Sequence, residues 1–135
     1  MPGFSVANIV LGLSGLLSIL IAARAILAPA ALSAALGYGV PGADALNEIR
    51  AQYGGFFLAV AIACGLAMIT AIPKQSALIV LIVTFGGILT GRLIGLAFDG
   101  GMSGYGPTIR ALFVVDAIGL MAAVWALSTL ASAGR

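Results

Sequence analysis

The residues of this sequence that could take part in chemistry form a small set of charged and polar side chains. They are Asn47, Glu48, Arg50, Tyr53, Arg92, Asp99, Arg110 and Asp116. Arginine side chains can hold the oxyanion or carbonyl group of a ligand through charge-assisted hydrogen bonds, and Tyr53 can donate a further hydrogen bond. Glu48 or Asp116 could serve as the general acid or base of an enzyme. These residue types suit recognition of a polar head group and leave an enzymatic role open.

Several kinds of chemistry lack the residues that they need. The sequence contains no histidine and a single cysteine, Cys64, which lies in an apolar run and can form no disulfide within the chain. The absence of histidine removes most zinc, haem and di-iron sites and the commonest general base. The sequence also has no nucleophile constellation, metal-ligand set or nucleotide-binding motif. We therefore expect neither a metal site nor another cofactor.

The composition of the chain indicates where such side chains must lie. The 135 residues are 62% hydrophobic and only 7% charged, with a mean hydropathy of +1.23. A soluble domain is typically about 45–50% apolar and about 25% charged, so these few charges cannot form its polar shell. The composition excludes a soluble globular domain, a disordered chain and a nucleic-acid-binding protein with a basic face. It predicts an integral membrane protein.

Four segments are long and apolar enough to span a membrane as helices, which takes about 20 residues each. They run approximately over residues 5–28, 44–72, 76–98 and 108–132. Residues 30–36 are too few to span and too apolar for a hydrated loop, so they are predicted to form a short re-entrant or interfacial segment. The tight connection at 73–75 makes helices two and three antiparallel. We predict an all-α, antiparallel four-helix bundle in a single transmembrane domain, residues 1–135.

Antiparallel spans distribute the charges unevenly across the membrane. Lys74 and Arg135 lie on the side of the two termini, whereas all the other charges lie in the opposite half. A charge at the bilayer centre costs about 2.5–3.5 kcal/mol on insertion scales, so the deeper charges should face the bundle interior and pair. We predict one polar, charge-paired pocket in that half. Its predicted members are Glu48, Arg50, Tyr53, Arg92, Asp99, Arg110 and Asp116.

The same charges also fit a purely structural network, because paired charges near helix ends often only lock helices together. Arg24 is interpreted as a snorkelling side chain and Asp44 as a helix cap. Arg92 and Asp99 are seven residues apart and share a face of helix three, whereas Asp116 is expected to find its partner on another helix.

A stripe of glycines follows one face of the third helix. Gly87, Gly91 and Gly95 recur at every fourth position, where the absence of Cβ atoms permits another helix to approach closely. The stripe could seal the monomer or join two protomers.

The polar residues also carry a family resemblance. The stretch N-E-I-R-A-Q-Y-G-G at residues 47–55, followed by Gly91-Arg92 and Asp99-Gly100, resembles an uncharacterised bacterial family of small four-helix membrane proteins. That family is described as a domain of unknown function, and its layout is broadly similar to that of DoxX-type membrane proteins. The resemblance implies the four-helix fold but no activity. It directs attention to Asn47, Glu48, Arg50, Tyr53, Arg92 and Asp99.

Two functions fit these observations. The first is a membrane site for a lipid-like or isoprenoid-like small molecule, whose head is held by arginines and whose tail lies in the apolar bundle. The alternative is a structural or accessory subunit of a homo-oligomer or of a larger membrane complex, in which the charges fix the packing geometry. A small multidrug-type transporter is disfavoured, because its first helix would carry a membrane-embedded glutamate and this one has no acid.

The sequence predicts a multi-pass protein of the bacterial inner membrane, in contact with membrane lipid and without a nucleic-acid partner. A raw count of lysine and arginine favours the pocket side as cytoplasmic, with four against two. Arg50 and Arg92 are nevertheless expected to be buried and matched by acids. The plainly exposed cations, Lys74 and Arg135, favour both termini in the cytoplasm.

Overall fold

Helices account for most of the chain in the computed structural model, which describes residues 5–39 and 42–133. In order they are α1 (Val6–Leu27), α2 (Pro29–Ala35), α3 (Ala43–Met68), α4 (Lys74–Phe98) and α5 (Pro107–Ala133). All except α2 are long and apolar enough to cross a membrane, and the described residues include no strand. The prediction of an all-α four-helix membrane protein with a short additional helix after the first span is confirmed.

Local sequence explains where α1 and α2 begin and end. The Ser5 hydroxyl accepts a hydrogen bond from the Asn8 backbone N–H at 3.2 Å, which caps the start of α1. Pro29 occupies the first position of α2, where its missing N–H is not needed. Gly37 follows α2 with φ of +83°, the left-handed conformation with which glycine commonly ends a helix.

The structure corrects two details of the second span. Asp44 lies in the first turn of α3, where its charge is favourable, but its side chain makes no cap hydrogen bond, so the predicted cap is wrong. The helix ends at Met68, four residues before its predicted end. Thr70 adopts φ of +63° in the following turn, and such a residue cannot continue a right-handed helix.

The four long helices form a ring in which α1 packs chiefly on α3 and α4 chiefly on α5. Glycines at two crossings allow the close approach. A Cβ on Gly15 would lie 3.1 Å from the Cβ of Cys64, and a Cβ on Gly119 would lie 2.8 Å from the Phe85 ring. Small residues are what membrane helices use to pack tightly.

Two apolar clusters divide the bundle into halves. The larger cluster defines what we name the core half, towards the α3–α4 turn, and it consists of Ala7, Val10, Leu11, Val60, Cys64, Ala67, Ala77, Leu78, Leu81, Phe85, Ala123 and Ala126. The smaller cluster joins α1, α2 and α3 near the opposite end, which we name the cavity half, and it consists of Ala25, Leu32, Leu36 and Ile49.

The predicted glycine stripe does not seal helices together within the described chain. A Cβ built on Gly87 or Gly91 would have no neighbouring atom within 4 Å among the described residues, and one on Gly95 would meet only the Tyr105 hydroxyl, at 3.6 Å. The outer faces of the spans instead expose large apolar side chains, among them Leu13 and Val83. Such faces suit contact with lipid tails.

Candidate functional site

A cavity of about 600 Å³ lies among all five helices in the cavity half. Its walls are formed by Leu17, Leu20, Ile21 and Arg24 of α1, Leu32 and Ala35 of α2, Leu36 directly after α2, Gln52, Tyr53, Phe56 and Phe57 of α3, Phe85, Ile88 and Arg92 of α4, and Thr108, Leu112, Val115 and Asp116 of α5. This volume is within the range of about 300–1,000 Å³ found for small-molecule sites. The lining is mostly aliphatic and aromatic, with a few polar groups.

The polarity of the lining changes along the helices. Arg24 lies three residues before the end of α1, and Thr108 is the second residue of α5. Phe85 lies thirteen residues before the end of α4, which is about 20 Å further along the axis at 1.5 Å per residue. The polar residues of the wall therefore extend from the end of the bundle to Asp116, nine residues into α5, and the apolar part of the cavity around Phe85 lies beyond them.

A π-helical turn places the polar residues that α3 contributes. Residues Arg50–Gly55 form this turn, and the Phe56 N–H that follows it donates to the Ala51 carbonyl, five residues back. Such turns contain one residue more than an α turn and are frequent at functional sites. Here the turn brings Gln52 and Tyr53 to the cavity. The motif that carried the family resemblance therefore coincides with the one irregular stretch inside a described span.

A glycine lets this turn press against the first helix. A Cβ on Gly54 would lie 2.7 Å from Cγ1 of Ile26 and 3.8 Å from the Cβ of Ala25. The Arg50 Nε donates to the Ile26 carbonyl of α1 at 3.5 Å, and Arg50 does not line the cavity. The close approach thus needs glycine at position 54.

An ion pair between α4 and α5 forms the charged part of the cavity wall. The Nε of Arg92 donates to Oδ2 of Asp116 at 2.6 Å, and their side chains are 20% and 8% exposed. The Arg92 guanidinium carbon lies 5.9 Å from the centre of the Phe113 ring, within cation–π range. Within residues 5–39 and 42–133 it is the only ion pair, and neither terminal nitrogen of Arg92 makes a hydrogen bond there.

The eight predicted site residues fall into two groups. Tyr53, Arg92 and Asp116 line the cavity together. The others lie outside its wall: Asn47, Glu48, Arg50, Asp99 and Arg110. The cross-helix partner expected for Asp116 is Arg92. The site as a set of ligand-binding residues stays a prediction.

Residues outside the cavity wall make local contacts instead. Glu48 accepts a hydrogen bond from the Gln52 side chain at 3.2 Å, one turn further along α3. Arg110 donates to the Ser103 carbonyl at 3.4 Å, in the α4–α5 loop. Asn47 is exposed. These contacts are typical of helix ends and loops.

The α4–α5 loop holds a second polar pair, outside the spans. The Tyr105 hydroxyl donates to Oδ2 of Asp99 at 2.5 Å, so Asp99 bonds to the loop and not to Arg92 on its own helix. This hydrogen bond raises the pKa of the Tyr105 phenol above its ordinary value, because the neutral phenol is the donor. The Tyr105 ring also stacks on Phe113, with ring centres 6.1 Å apart.

Three polar cavity residues were not among the predicted site residues: Arg24, Gln52 and Thr108. The sequence does contain a sign that Arg24 could belong to the site. Arg24 is the sole charge of the first span and lies at the level of the other intramembrane charges. Gln52 required knowledge of the π turn, since an ordinary α-helix would turn it to a different direction.

The family DUF4345, a domain of unknown function, matches residues 6–127 of the chain. The match includes the first three spans, the fourth span as far as residue 127, and every residue of the cavity wall. No curated protein and no solved structure matches the chain. A function for the cavity must accordingly be argued from its own residues.

Proposed function

The chain belongs to the DUF4345 family, and we propose that it binds a lipid-like small molecule in the cavity between its spans. The single observation that supports this proposal best is the cavity itself, which combines an apolar interior with polar groups grouped towards one end. An amphiphilic molecule has the same division between head and tail.

The polar end offers suitable hydrogen-bond donors for a head group. The residues that carry such donors line the cavity: Arg24, Gln52, Tyr53, Arg92 and Thr108. Guanidinium groups bind oxyanions and carbonyls strongly, and amide and hydroxyl groups add directional hydrogen bonds. Ionisable residues inside membrane spans are rare and usually mark a functional path or site.

The apolar interior offers room for a tail. Leu17, Phe57 and Phe85 belong to this part of the wall, and Phe57 stacks on Tyr53 with ring centres 6.4 Å apart. A chain lying here would contact aliphatic and aromatic side chains throughout, as ligands do in most small-molecule sites.

Two neighbouring alanines of α2 provide a matched test. Ala35 lines the cavity, whereas Ala34 is exposed and does not. We expect Ala35→Trp to fill the cavity and expel a bound molecule, and Ala34→Trp to leave it bound. Native mass spectrometry of protein extracted gently from its host membrane measures the stoichiometric adduct directly.

The proposal fails if the wild-type protein carries no adduct at any detergent concentration that preserves its fold. It also fails if Ala35→Trp and Ala34→Trp retain the same adduct equally, because the molecule would then lie outside the cavity.

We also propose an alternative function, as a structural or accessory subunit. The observation that favours it is the uncovered glycine stripe on α4, where Gly87 and Gly91 are exposed and face no other described residue. A second helix from another copy or from a partner protein would find backbone without Cβ atoms there.

Cysteine crosslinking tests this alternative in a background in which Cys64→Ala removes the native thiol. A disulfide dimer formed by Gly87→Cys in native membranes, and absent for Gly65→Cys on α3, would support association through the stripe. Monomers for both variants would argue against it.

We propose that the protein lies in the bacterial inner membrane with both termini in the cytoplasm. Lys74, at the start of α4, supports this orientation through the positive-inside rule, while Arg135 lies outside the described residues. Reporter fusions test it: a fluorescent protein joined to the C-terminus should fold and fluoresce, and a periplasmic phosphatase joined there should stay inactive.

A further inference from the structure

We infer that the cavity selects an amphiphile with a single hydrocarbon chain and one negative charge on an oxyanion head, such as a carboxylate or phosphate. This inference rests on the proposed function and makes the ligand class specific. It follows from the charge of the lining, from its unused donors and from its volume.

The charged residues of the cavity wall do not balance. Arg24 and Arg92 contribute two positive charges and Asp116 contributes one negative charge, so the lining is formally +1. Every other lining residue is uncharged. Because Arg92 and Asp116 pair with each other, the excess charge is that of Arg24, which is exposed near the end of α1. A monoanionic head in the cavity would neutralise this charge, whereas a neutral head would not.

The donors of both arginines remain available to such a head group. Arg92 uses only its Nε towards Asp116, so its two terminal nitrogens can donate to an oxyanion without breaking the pair. Arg24 makes no ion pair within the described residues. Guanidinium groups bind carboxylate and phosphate through parallel hydrogen bonds, which is the geometry that two free nitrogens provide.

The volume of the cavity accommodates one hydrocarbon chain. A space of about 600 Å³ holds about 20 non-hydrogen atoms at about 30 Å³ each, the share of one water molecule in the liquid. An unbranched fatty-acid-sized molecule fits this limit, whereas a phospholipid with two chains exceeds it more than twofold.

Three probes separate charge from size in protein reconstituted into phosphatidylcholine nanodiscs. Oleate has a single chain and a negative head, oleamide has the same chain and size with a neutral head, and dioleoylphosphatidate is an anion with two chains. We expect native mass spectrometry to show a one-to-one oleate complex, about tenfold or more weaker binding of oleamide, and no specific phosphatidate complex.

Two arginine variants provide the matched control. Arg24→Gln should weaken oleate binding about 10- to 100-fold and oleamide binding much less, because the guanidinium binds a carboxylate more strongly than a neutral carbonyl. Arg110→Gln removes an exposed arginine of the same half that lies outside the cavity, and it should change neither. Because Arg24 is itself exposed, its replacement leaves no buried charge without a partner.

The outcomes distinguish the inference from the proposed function. Equal binding of oleate and oleamide, with both abolished by Ala35→Trp, would overturn the anion selectivity and leave the cavity as an amphiphile site. Phosphatidate binding that Ala35→Trp abolishes would overturn the single-chain limit. Binding of all three probes unaffected by Ala35→Trp would overturn the proposed function as well.

Discussion

The two halves of the bundle are built from the same four helices but are filled in opposite ways. In the core half, Leu11, Leu78 and Leu81 are fully buried and the helices meet through alanine, glycine and cysteine. In the cavity half, the helices leave a space of about 600 Å³, and a buried aspartate, Asp116, takes part in the contact between α4 and α5.

This difference shows how a small membrane protein can combine a rigid part with a binding part. Close packing of small residues holds membrane helices together without polar contacts, so the core half needs no charge. The cavity half lacks this close packing of small residues. There the Arg92–Asp116 ion pair and the contacts of α2 provide part of the interaction between the helices. The comparison makes definite expectations for substitutions in each half.

The largest effect should come from breaking the ion pair. Arg92→Leu leaves the Asp116 carboxylate without its partner in a buried position, and we expect a loss of about 3–5 kcal/mol in the free energy of unfolding. The double replacement Arg92→Leu with Asp116→Leu should recover most of this loss, because no unpaired charge remains. Reversible unfolding in detergent micelles measures all three proteins. A double variant as unstable as the single one would show that the charges do more than pair.

The next largest effect is a difference in stability loss between two substitutions on the same face of α4, seven residues apart. Leu81 is fully buried in the core half, whereas Ile88 lines the cavity. We expect Leu81→Ala to destabilise the protein by about 2–3 kcal/mol, because it creates a new void. Ile88→Ala only enlarges an existing space and should cost about 1 kcal/mol. Equal losses in the same unfolding assay would mean that the cavity is filled in the protein as purified.

A smaller effect tests the contact between the π turn and α1. Gly54→Ala would place a Cβ 2.7 Å from Ile26 Cγ1, and we expect it to destabilise by about 1–3 kcal/mol. The neighbouring Gly55→Ala is the control, since its Cβ would meet only the Arg50 carbonyl, at 4.0 Å. We expect Gly55→Ala to be neutral or slightly stabilising. Similar melting temperatures for both variants would argue against the close approach.

The smallest effect concerns the exposed loop of the cavity half. Because the pKa of Tyr105 is raised by its hydrogen bond to Asp99, the bond contributes stability below the ordinary tyrosine pKa near 10 and loses it as the pH rises through the folded value. Subtracting the ultraviolet titration of Tyr105→Phe from that of the wild type isolates this phenol. Asp99→Asn should lower its pKa towards the ordinary value. An unchanged titration after Asp99→Asn would exclude the bond.

Composition and length were sufficient to predict the spans. Runs of about 20 apolar residues leave few alternatives in a chain with 7% charged residues, and the segment around residues 30–36 was recognised as helical because it was too short to span and too apolar to be a loop. The ends were less predictable. The helix α3 ends at Met68, and Thr70 in the turn after it has a left-handed conformation. Threonine disfavours this conformation, so its residue type gives no sign of the helix end.

The membership of the cavity wall was predictable only in part. The cost of intramembrane charge identified Arg92 and Asp116 as residues needing partners, and they pair with each other. Their pairing depends on the rotation of α4 about α5, to which Gly119 and Phe85 contribute by their close contact. No local sequence pattern predicts that rotation. No local sequence pattern predicts the π turn that brings Gln52 to the cavity wall either.

The π turn of α3 also offers a simple route by which the cavity wall could change during evolution. One residue fewer between Arg50 and Gly55 would return the stretch to a regular α-helix. Because the π turn holds one residue more than an α turn over nearly the same rotation, the helix on both sides of it would keep its orientation. The part of α3 that packs into the core half, around Val60 and Cys64, is fixed by its neighbours. A single-codon deletion would therefore change which side chains of the turn face the cavity and leave the scaffold on both sides intact, so ligand preference could diverge among homologues through length changes at one place.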